Sequence, residues 1–364
     1  MDYAQERVPT CHDFGAADPA APVGRTAVVV PMTEREYAGL AAEGVLSALE
    51  RADPGRVVVP LDAPAERVGP FVEWLDGFDV SLEVCWCGGS RLAALLADHG
   101  LDGPRGKGRD VWLGLGLALA GADYVACHDA DTVTYEARDL RKLCYPLDRG
   151  FSFSKGYYAR VENDRLYGRL CRLFYEPVVT ALREVHDADV LDYLDAFRYA
   201  LAGEFAATAD LARSMRVPRG WGLEVATLGE AFDVAGFAGS AQVDLGRYEH
   251  AHRAVSGPTG LSEMSEGVGA TLFRVVGDRG VDVDFDRLRE RYDAVADRLV
   301  RAYETDAGFN GLDFDPAAER DQVETYAGAV TAPGPADRLP AWGETDLDPA
   351  AVREAVAADR ESVT

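Results

Sequence analysis

The chain has 364 residues, of which 48% are hydrophobic, so it can bury the core of one large domain or two. It carries 62 acidic and 37 basic residues, and its formal charge of -25 argues against nucleic acid or an anionic membrane as a partner. Only Lys107, Lys142 and Lys155 are lysines. Acidic excess with scarce lysine is typical of proteins dissolved in high salt, and we expect a halophilic protein.

The cysteine spacing argues against a zinc site, and the sequence shows neither a signal peptide nor a membrane span. The six cysteines are scattered, and Cys85 and Cys87 have neither the spacing nor the second pair of a zinc site. The N-terminus lacks a basic region followed by an apolar one, and no apolar run approaches the length of about 18 residues that predicts a membrane span. We therefore expect a cytoplasmic protein without a membrane span.

The N-terminal part of the chain alternates between apolar runs and helical patterns. Residues 1–25 contain Pro, Ala and Asp without periodicity and are predicted to form a flexible arm. Strands are predicted at Thr26–Pro31, Arg56–Leu61 and Val80–Cys87, and helices at about 34–51, 66–77 and 91–98. Apolar, largely β-branched runs separated by helices indicate a parallel sheet with helices on both faces.

A pair of carboxylates follows the next predicted strand. Tyr124–Cys127 has strand composition, and Asp129 and Asp131 come directly after it. Side chains at i and i+2 share a face in extended backbone, so both carboxylates can point at one ligand. Paired oxygens of this kind suit Mg²⁺ or Mn²⁺, and ligands bind at the carboxyl ends of strands in open α/β sheets. The alternative is a solvated acidic turn in an acidic protein.

The segment Gly106-Lys107-Gly108 opens the helix that precedes this strand. Two glycines let the backbone approach a ligand closely, and a helix N-terminus favours anions. The spacing does not fit the Walker pattern. The segment alone is equally compatible with a surface turn, but it lies one helix before the paired carboxylates in a chain with almost no lysine.

The second half of the chain has fewer strands and more helices. A strand is predicted at 151–157, helices at 164–185 and 207–215, no regular element at Leu201–Ala206, and a further strand at Ala241–Gly246. Gly220 and Gly222 flank Trp221, and Glu224 would begin a helix. Later helices are predicted at about 261–277, at 285–304 and from Pro316, followed by a linker at 331–348 and a terminal helix that packs weakly or on a neighbouring subunit.

Several of these motifs occur in this order in one enzyme family. The chain resembles retaining GT-A glycosyltransferases of the glucosyl-3-phosphoglycerate synthase type, with mannosyl-3-phosphoglycerate synthases as more distant relatives. The resemblance extends from about Val28 to Arg274. It rests on Val28–Pro31, Gly106–Gly108, Asp129–Asp131, Leu201–Glu204, Gly220–Glu224, and Leu245-Gly246 followed by His250. The Ala-Gly-Glu and Gly-Trp-Gly-Leu-Glu segments are its most specific part.

The resemblance implies a role for each of these residues. Asp131 and His250 resemble the metal ligands, with Mg²⁺ or Mn²⁺ as the metal. The nucleotide-sugar contacts it implies are Pro31, Met32 and Thr33 around uracil, Lys107 on the nucleotide, and Asp129 with Ala130 on the ribose or sugar. Leu201, Ala202, Gly203 and Glu204 resemble the loop under the transferred sugar. Glu224 resembles a carboxylate that binds sugar hydroxyls, and with Asp129, Asp131, Leu201, Gly203 and Glu204 it forms the implied catalytic group.

The chain departs from the family pattern mainly where the acceptor would bind. The family has Gly-Arg-x-Thr, whereas this chain has Gly168-Arg169-Leu170-Cys171 and so lacks the threonine hydroxyl. After the metal histidine the family continues Arg-Asn, whereas this chain continues Ala251-His252-Arg253. Gly168 and Arg169, with His252 or Arg253, are the expected acceptor-binding residues, because an arginine can still bind an anion. His252 is also an alternative to His250 as metal ligand.

These observations predict an α/β protein with a GT-A fold, a Rossmann-like mixed sheet flanked by helices. The expected organisation is a catalytic domain at 26–260, a helical extension at 261–330, and a linker with a terminal helix at 331–364. The expected reaction moves a hexose from a UDP- or GDP-sugar to a small anionic acceptor, 3-phosphoglycerate above others, in a possible homodimer. The alternatives are a mannosyl-3-phosphoglycerate synthase or a relative with another acceptor, a nucleotidyltransferase, and a non-catalytic sugar-nucleotide-binding member.

Overall fold

A computed structural model describes residues 6–251 and 258–363, without the side chains of residues 258–261. Its strands are β1 Thr10–Cys11, β2 Thr26–Val29, β3 Met32–Thr33, β4 Arg56–Asp62, β5 Leu82–Trp86, β6 Tyr124–Cys127, β7 Phe153–Glu162, β8 Arg165–Leu166, β9 Phe205–Thr208, β10 Val217–Pro218, β11 Ser240–Tyr248 and β12 Arg338–Leu339. Its helices are α1 Leu40–Ala52, α2 Ala65–Leu75, α3 Ser90–Asp98, α4 Lys107–Leu119, α5 Ala137–Cys144, α6 Glu176–Arg183, α7 Asp189–Asp195, α8 Ala209–Ser214, α9 Leu223–Val234, α10 Gly236–Gly239, α11 Pro258–Gly277, α12 Phe285–Asn310, α13 Pro316–Ala327 and α14 Pro349–Glu361.

The central sheet has ten strands in the order β1-β11-β7-β9-β6-β2-β4-β3, with β5 paired to β4 and β8 paired to β7. The predicted strands β2, β4, β5 and β6 are present and parallel, and their apolar side chains are buried between helices on both faces. The predicted parallel core with helices on both faces is therefore confirmed. None of the helices in the described part of the chain is both long enough and apolar enough to cross a membrane.

The prediction of no regular element at Leu201–Ala206 is wrong in its last two residues, which begin β9. This strand runs antiparallel between β6 and β7, with Phe205 opposite both Cys127 and Lys155. Its sequence Phe-Ala-Ala-Thr has little β-branched character, so burial in the middle of the sheet, not local propensity, makes it a strand. Because of β9 the sheet is mixed, and the preceding loop lies at the end of β6.

The predicted helix at 164–185 begins later than expected. Asn163 and Asp164 both have positive φ, at 47° and 54°, which is the geometry of a tight hairpin turn between β7 and β8. Helical structure begins only after this hairpin, with a π-helical turn at Cys171–Tyr175 that leads into α6. β7 therefore continues to Glu162, beyond its pairing with β9, and it stays paired with β11 as far as Arg160.

Both ends of the chain are more closely integrated than the sequence suggested. In the predicted flexible arm, Val8 is fully buried and β1 pairs in parallel with β11. In the predicted linker, β12 pairs with β10, and Trp342 stacks on Trp112 with ring centroids 4.4 Å apart. Pairing with distant strands and burial of the Trp342 ring stabilise segments that have no periodicity of their own.

The terminal helix α14 packs on its own chain, where it contacts α3 and β5. The Asp359 carboxylate accepts hydrogen bonds of 2.9 Å from the backbone N–H groups of both Arg91 and Leu92, so it caps the N-terminus of α3 from a distant part of the sequence. A side chain at Gly89 would clash with this carboxylate. The terminal helix is therefore held by contacts with its own chain, and these contacts do not support the expectation that it packs on a neighbouring subunit.

Candidate active site

A cleft of about 950 Å³ opens at the carboxyl ends of β2, β4 and β6. The sequence-predicted residues that line it are Pro31, Met32, Thr33, Lys107, Asp129, Ala130, Asp131, Leu201, Glu224 and His250. The fold therefore collects side chains from segments more than two hundred residues apart around one cleft. This is the edge where open α/β sheets bind their ligands.

Lys107 is the central cation of the cleft. Its Nζ lies 2.7 Å from Asp129 Oδ1 and 3.8 Å from Glu224 Oε1. Burial lowers the pKa of Lys107, but the carboxylates of Asp129 and Glu224 outweigh burial and raise that pKa above its ordinary value. Lys107 is thus held as an ammonium between the first turn of α4, the end of β6 and the first turn of α9.

The glycines beside Lys107 let two segments of the chain's own backbone approach each other closely. A Cβ at Gly106 would lie 2.8 Å from the Arg219 carbonyl oxygen, and a Cβ at Gly108 would clash with the Pro218 carbonyl. The backbone N–H of Arg109 donates a 2.9 Å hydrogen bond to the Arg219 carbonyl. These contacts are with the chain's own backbone. They let the N-terminus of α4 approach the loop that leads into α9.

Asp131 and His250 are brought together by backbone pairing. Thr132 forms an antiparallel bridge with His250, and the Asp131 carbonyl accepts a 2.7 Å hydrogen bond from the Ala251 N–H. His250 is 8% exposed, and its own backbone N–H donates to Glu162 Oε1 at 3.1 Å. Burial, reinforced by the nearby Asp129 carboxylate, raises the pKa of Asp131 to about 6.

The donor set of Asp131 and His250 fits a divalent cation that also binds a diphosphate. A carboxylate oxygen and an imidazole nitrogen are ligands that Mn²⁺ accepts, and Mg²⁺ commonly keeps water and phosphate oxygens beside one or two carboxylates. Within residues 6–251 and 258–363 no cluster of three or more metal-binding side chains occurs. Glu162, beside the His250 ring, can orient it.

The loop Leu201–Glu204 forms the floor of the cleft. A Cβ at Gly203 would lie 2.5 Å from Asp129 Oδ2, so only glycine lets this carboxylate rest on the loop. Leu201 faces the cleft, whereas Ala202 and Glu204 are fully buried beneath it. Burial, with a contribution from Asp129, raises the pKa of Glu204 to about 8.

Of the expected acceptor residues, Gly168 and Arg169 do not line the cleft. Arg169 Nε donates to Glu319 Oε1 at 2.7 Å, and Arg169 is not among the residues that line the cleft. Gly168, with a φ of 75°, packs against Tyr199. His252 and Arg253 lie outside the described residues. Arg169 is drawn away because Glu319, on α13, is buried and needs cationic partners, of which Arg172 is the second.

Sequence reasoning missed several side chains that do line the cleft. Arg160, Tyr158 and Tyr199 form one wall, and Arg35, Arg105 and Trp221 face the same space. Tyr158 and Arg160 are two residues apart on β7, so they share a face. The strand period could have indicated this pair, had the sequence shown that β7 continues to Glu162, beyond its predicted end at 157.

Comparisons with known proteins identify the family. No family model matches the chain. The glucosyl-3-phosphoglycerate synthase of Methanococcoides burtonii is 34% identical over 361 residues, which cover 92% of this chain and 89% of that protein. The glucosyl-3-phosphoglycerate synthase of Persephonella marina is 36% identical over 292 residues, which cover 76% of this chain and 72% of that protein. The chain belongs to the glucosyl-3-phosphoglycerate synthase family.

Solved structures agree with this assignment at the level of the fold. Glucosyl-3-phosphoglycerate synthase of Mycobacterium tuberculosis, in complex with Mn²⁺, UDP and glucosyl-3-phosphoglycerate, has a TM-score of 0.57 and 22% identity, covering 76% of this chain and 89% of that chain. Its complex with Mn²⁺, UDP-glucose and phosphoglyceric acid has a TM-score of 0.56 and 23% identity, covering 74% and 88%. The predicted GT-A fold is confirmed, and this family member is a glycosyltransferase.

Proposed function

We propose that this member of the glucosyl-3-phosphoglycerate synthase family transfers glucose from UDP-glucose to 3-phosphoglycerate with retention of configuration. The single observation that carries the proposal is the convergence of Lys107, Asp129, Asp131, Glu224 and His250 on one cleft. Relatives of the same name in Mycobacterium tuberculosis have been crystallised with UDP-glucose, phosphoglyceric acid and Mn²⁺, and another of their complexes contains Mg²⁺.

Asp131 and His250 would hold Mg²⁺ or Mn²⁺, which neutralises charge on the departing diphosphate when bound. Lys107 would add a fixed ammonium on the nucleotide side. Pro31, Met32 and Thr33 would enclose the uracil, and Asp129 with Ala130 would bind the ribose or sugar. Glu224 would accept hydrogen bonds from sugar hydroxyls, while Leu201 and Gly203 would support the transferred ring from below. Glu204 would support this floor from its buried side.

The acceptor is assigned to the Arg160 wall of the cleft. Arg160 lines the cleft with Tyr158 and Tyr199, and its Nε lies 3.6 Å from the buried Glu162. A guanidinium in this position suits the phosphate or carboxylate of phosphoglycerate. We therefore propose Arg160, in place of Arg169, as the arginine that binds the acceptor. The prediction that His252 or Arg253 also binds it is unchanged.

The decisive experiment is a panel of UDP-glucose, GDP-glucose and GDP-mannose against 3-phosphoglycerate and glycerate, in high salt with Mn²⁺ or Mg²⁺, with the product detected by mass spectrometry and its anomeric configuration by NMR. We expect transfer from UDP-glucose to 3-phosphoglycerate with an α-configured product. Preference for GDP-mannose would instead favour a mannosyl-3-phosphoglycerate synthase, and binding of donor without any transfer would favour a non-catalytic member. The proposed homodimer is tested separately by light scattering during size-exclusion chromatography.

A further inference from the structure

Lys155 is an almost completely buried lysine that no functional motif of the sequence includes. It is 1% exposed and lies on β7, where it faces Phe205 of β9 on one side and Gln242 of β11 on the other. Burial of an ammonium is costly unless it is paired and hydrogen-bonded. In a chain with only three lysines, this position therefore requires a physical explanation.

The Lys155 ammonium is bonded to the floor of the cleft. Its Nζ donates a 2.5 Å hydrogen bond to the Ala202 carbonyl, in the middle of the loop Leu201–Glu204. The next residue along the chain also contacts this loop, because the Gly156 N–H donates to the Glu204 carbonyl at 2.9 Å. A lysine and a glycine in succession on β7 thus fix two carbonyl groups of the loop.

The floor in turn contacts the catalytic carboxylates. Gly203 is the residue that follows Ala202, and its backbone lies against the Asp129 carboxylate. Burial lowers the pKa of Lys155, and the carboxylates of Glu224 and Asp129 oppose this effect. These are the two carboxylates that Lys107 also contacts.

We propose that Lys155 is a positioning residue for the glycosyl-transfer reaction, which fixes the Ala202 carbonyl and thereby the height of the floor under the transferred sugar. The inference rests on the proposed function of the cleft. Lys155 does not line the cleft, so its effect reaches the sugar through Ala202 and Gly203. We expect the contacts to the nucleotide and the Arg160 wall to be unaffected by its replacement.

The test replaces Lys155 by methionine, which keeps the length of the side chain and removes its charge and donors. Lys142→Met is the matched control, because Lys142 is also a buried lysine, 5% exposed, but pairs with Asp13 outside the cleft. For Lys155→Met we expect kcat to fall about ten- to hundredfold, the effect of losing one charge-assisted hydrogen bond, with KM for 3-phosphoglycerate and affinity for UDP unchanged. The ratio of UDP-glucose to UDP affinity should fall as well.

The control variant should retain wild-type kcat and the wild-type affinity ratio. Equal kinetics of the two variants, in an active wild-type background, would overturn the role of Lys155 and leave the proposed function intact. A wild-type enzyme that transfers nothing would overturn the proposed function instead. Should Lys155→Met not fold, Lys155→Gln, which keeps an N–H donor but no charge, decides: a folded variant with lowered kcat and unchanged KM for 3-phosphoglycerate supports positioning, and wild-type kcat refutes it. If neither variant folds, Lys155 serves folding and the proposal is refuted.

Discussion

Lys107 Nζ lies 2.7 Å from Asp129 Oδ1, which joins the first residue of α4 to the turn after β6. The same ammonium lies 3.8 Å from Glu224 Oε1, at the first turn of α9. Two carboxylates that would otherwise repel each other are therefore held around one cation. Electrostatic preorganisation of this kind requires little reorganisation of the protein when a charged donor binds.

Replacing Lys107 by methionine should weaken donor binding. The variant loses a charge-assisted contact and leaves Asp129 and Glu224 without their shared cation, so we expect UDP affinity to fall about ten- to hundredfold. Isothermal titration with UDP in the presence of Mn²⁺ measures the effect, with Lys142→Met as the control. Unchanged UDP affinity would show that Lys107 serves only to neutralise the two carboxylates.

Replacing Asp131 by alanine should abolish metal-dependent turnover while the protein stays folded. The carboxylate is at the end of a strand and adds little to the apolar core, so the melting temperature should change little. Electron paramagnetic resonance of added Mn²⁺ and kcat provide the two measurements. Glu249→Ala is the control, because this exposed carboxylate, next to His250 in the sequence, pairs with Arg247 instead. A variant with wild-type activity in Mn²⁺ would refute the metal role.

The choice of histidine can be tested in the same assay. His250 is buried beside Glu162 and is paired by backbone bridging to the Asp131 loop, so His250→Ala should weaken Mn²⁺ binding more than His252→Ala. The opposite order would mean that the metal uses the alternative histidine, two residues further along the chain.

Arg160 and Arg169 form a natural pair of variants for the acceptor. Arg160 lines the cleft, whereas Arg169 is bonded to Glu319 at 2.7 Å. We expect Arg160→Ala to raise KM for 3-phosphoglycerate about ten- to hundredfold with donor affinity nearly unchanged, because one charge-assisted bond is lost. Arg169→Ala should leave that KM within about twofold and lower the melting temperature, because it weakens a partly buried ion pair. Initial-rate kinetics measure both KM values. A raised KM in Arg169→Ala together with an unchanged KM in Arg160→Ala would contradict this assignment.

Gly203→Ala should impair catalysis without unfolding the protein. The added Cβ would lie 2.5 Å from Asp129 Oδ2, so either the carboxylate or the floor loop must move. A displacement of this size near the reacting groups can lower kcat about hundredfold. Gly44→Ala is the control, because its Cβ would meet nothing within 4 Å, in the middle of α1. Wild-type kcat in Gly203→Ala would show that the floor tolerates the shift.

Salt should stabilise the fold. A net charge of -25 is self-repulsive, and at about 1 M salt the screening length is only about 3 Å. We expect the melting temperature to rise between dilute buffer and molar KCl, as followed by circular dichroism. A flat or falling melting temperature over this range would refute the prediction of a halophilic protein.

The sequence by itself indicated the donor half of the site. Asp129 and Asp131 follow an apolar run, Lys107 and Glu224 stand in the first turns of predicted helices, and His250 follows a strand. Such positions can be predicted because parallel strands align their carboxyl ends at one edge of the sheet. A residue that directly follows a strand is therefore expected at that edge, where the cleft lies. The family resemblance supplied the roles of these residues.

Only the tertiary structure decided whether Arg160 or Arg169 lines the cleft, what the glycines contact, and what holds the floor. Arg169 is paired with Glu319, about 150 residues later in the chain, while Arg160 lines the cleft from a part of β7 that pairs with β11 beyond the predicted end of the strand. Lys155 gains its partner from a loop 47 residues away, and β9 becomes a strand only between its neighbours. These contacts depend on which distant segments pair with each other. That pairing is determined by the burial of apolar surface over the whole chain, so it cannot be predicted from the spacing of residues within one segment.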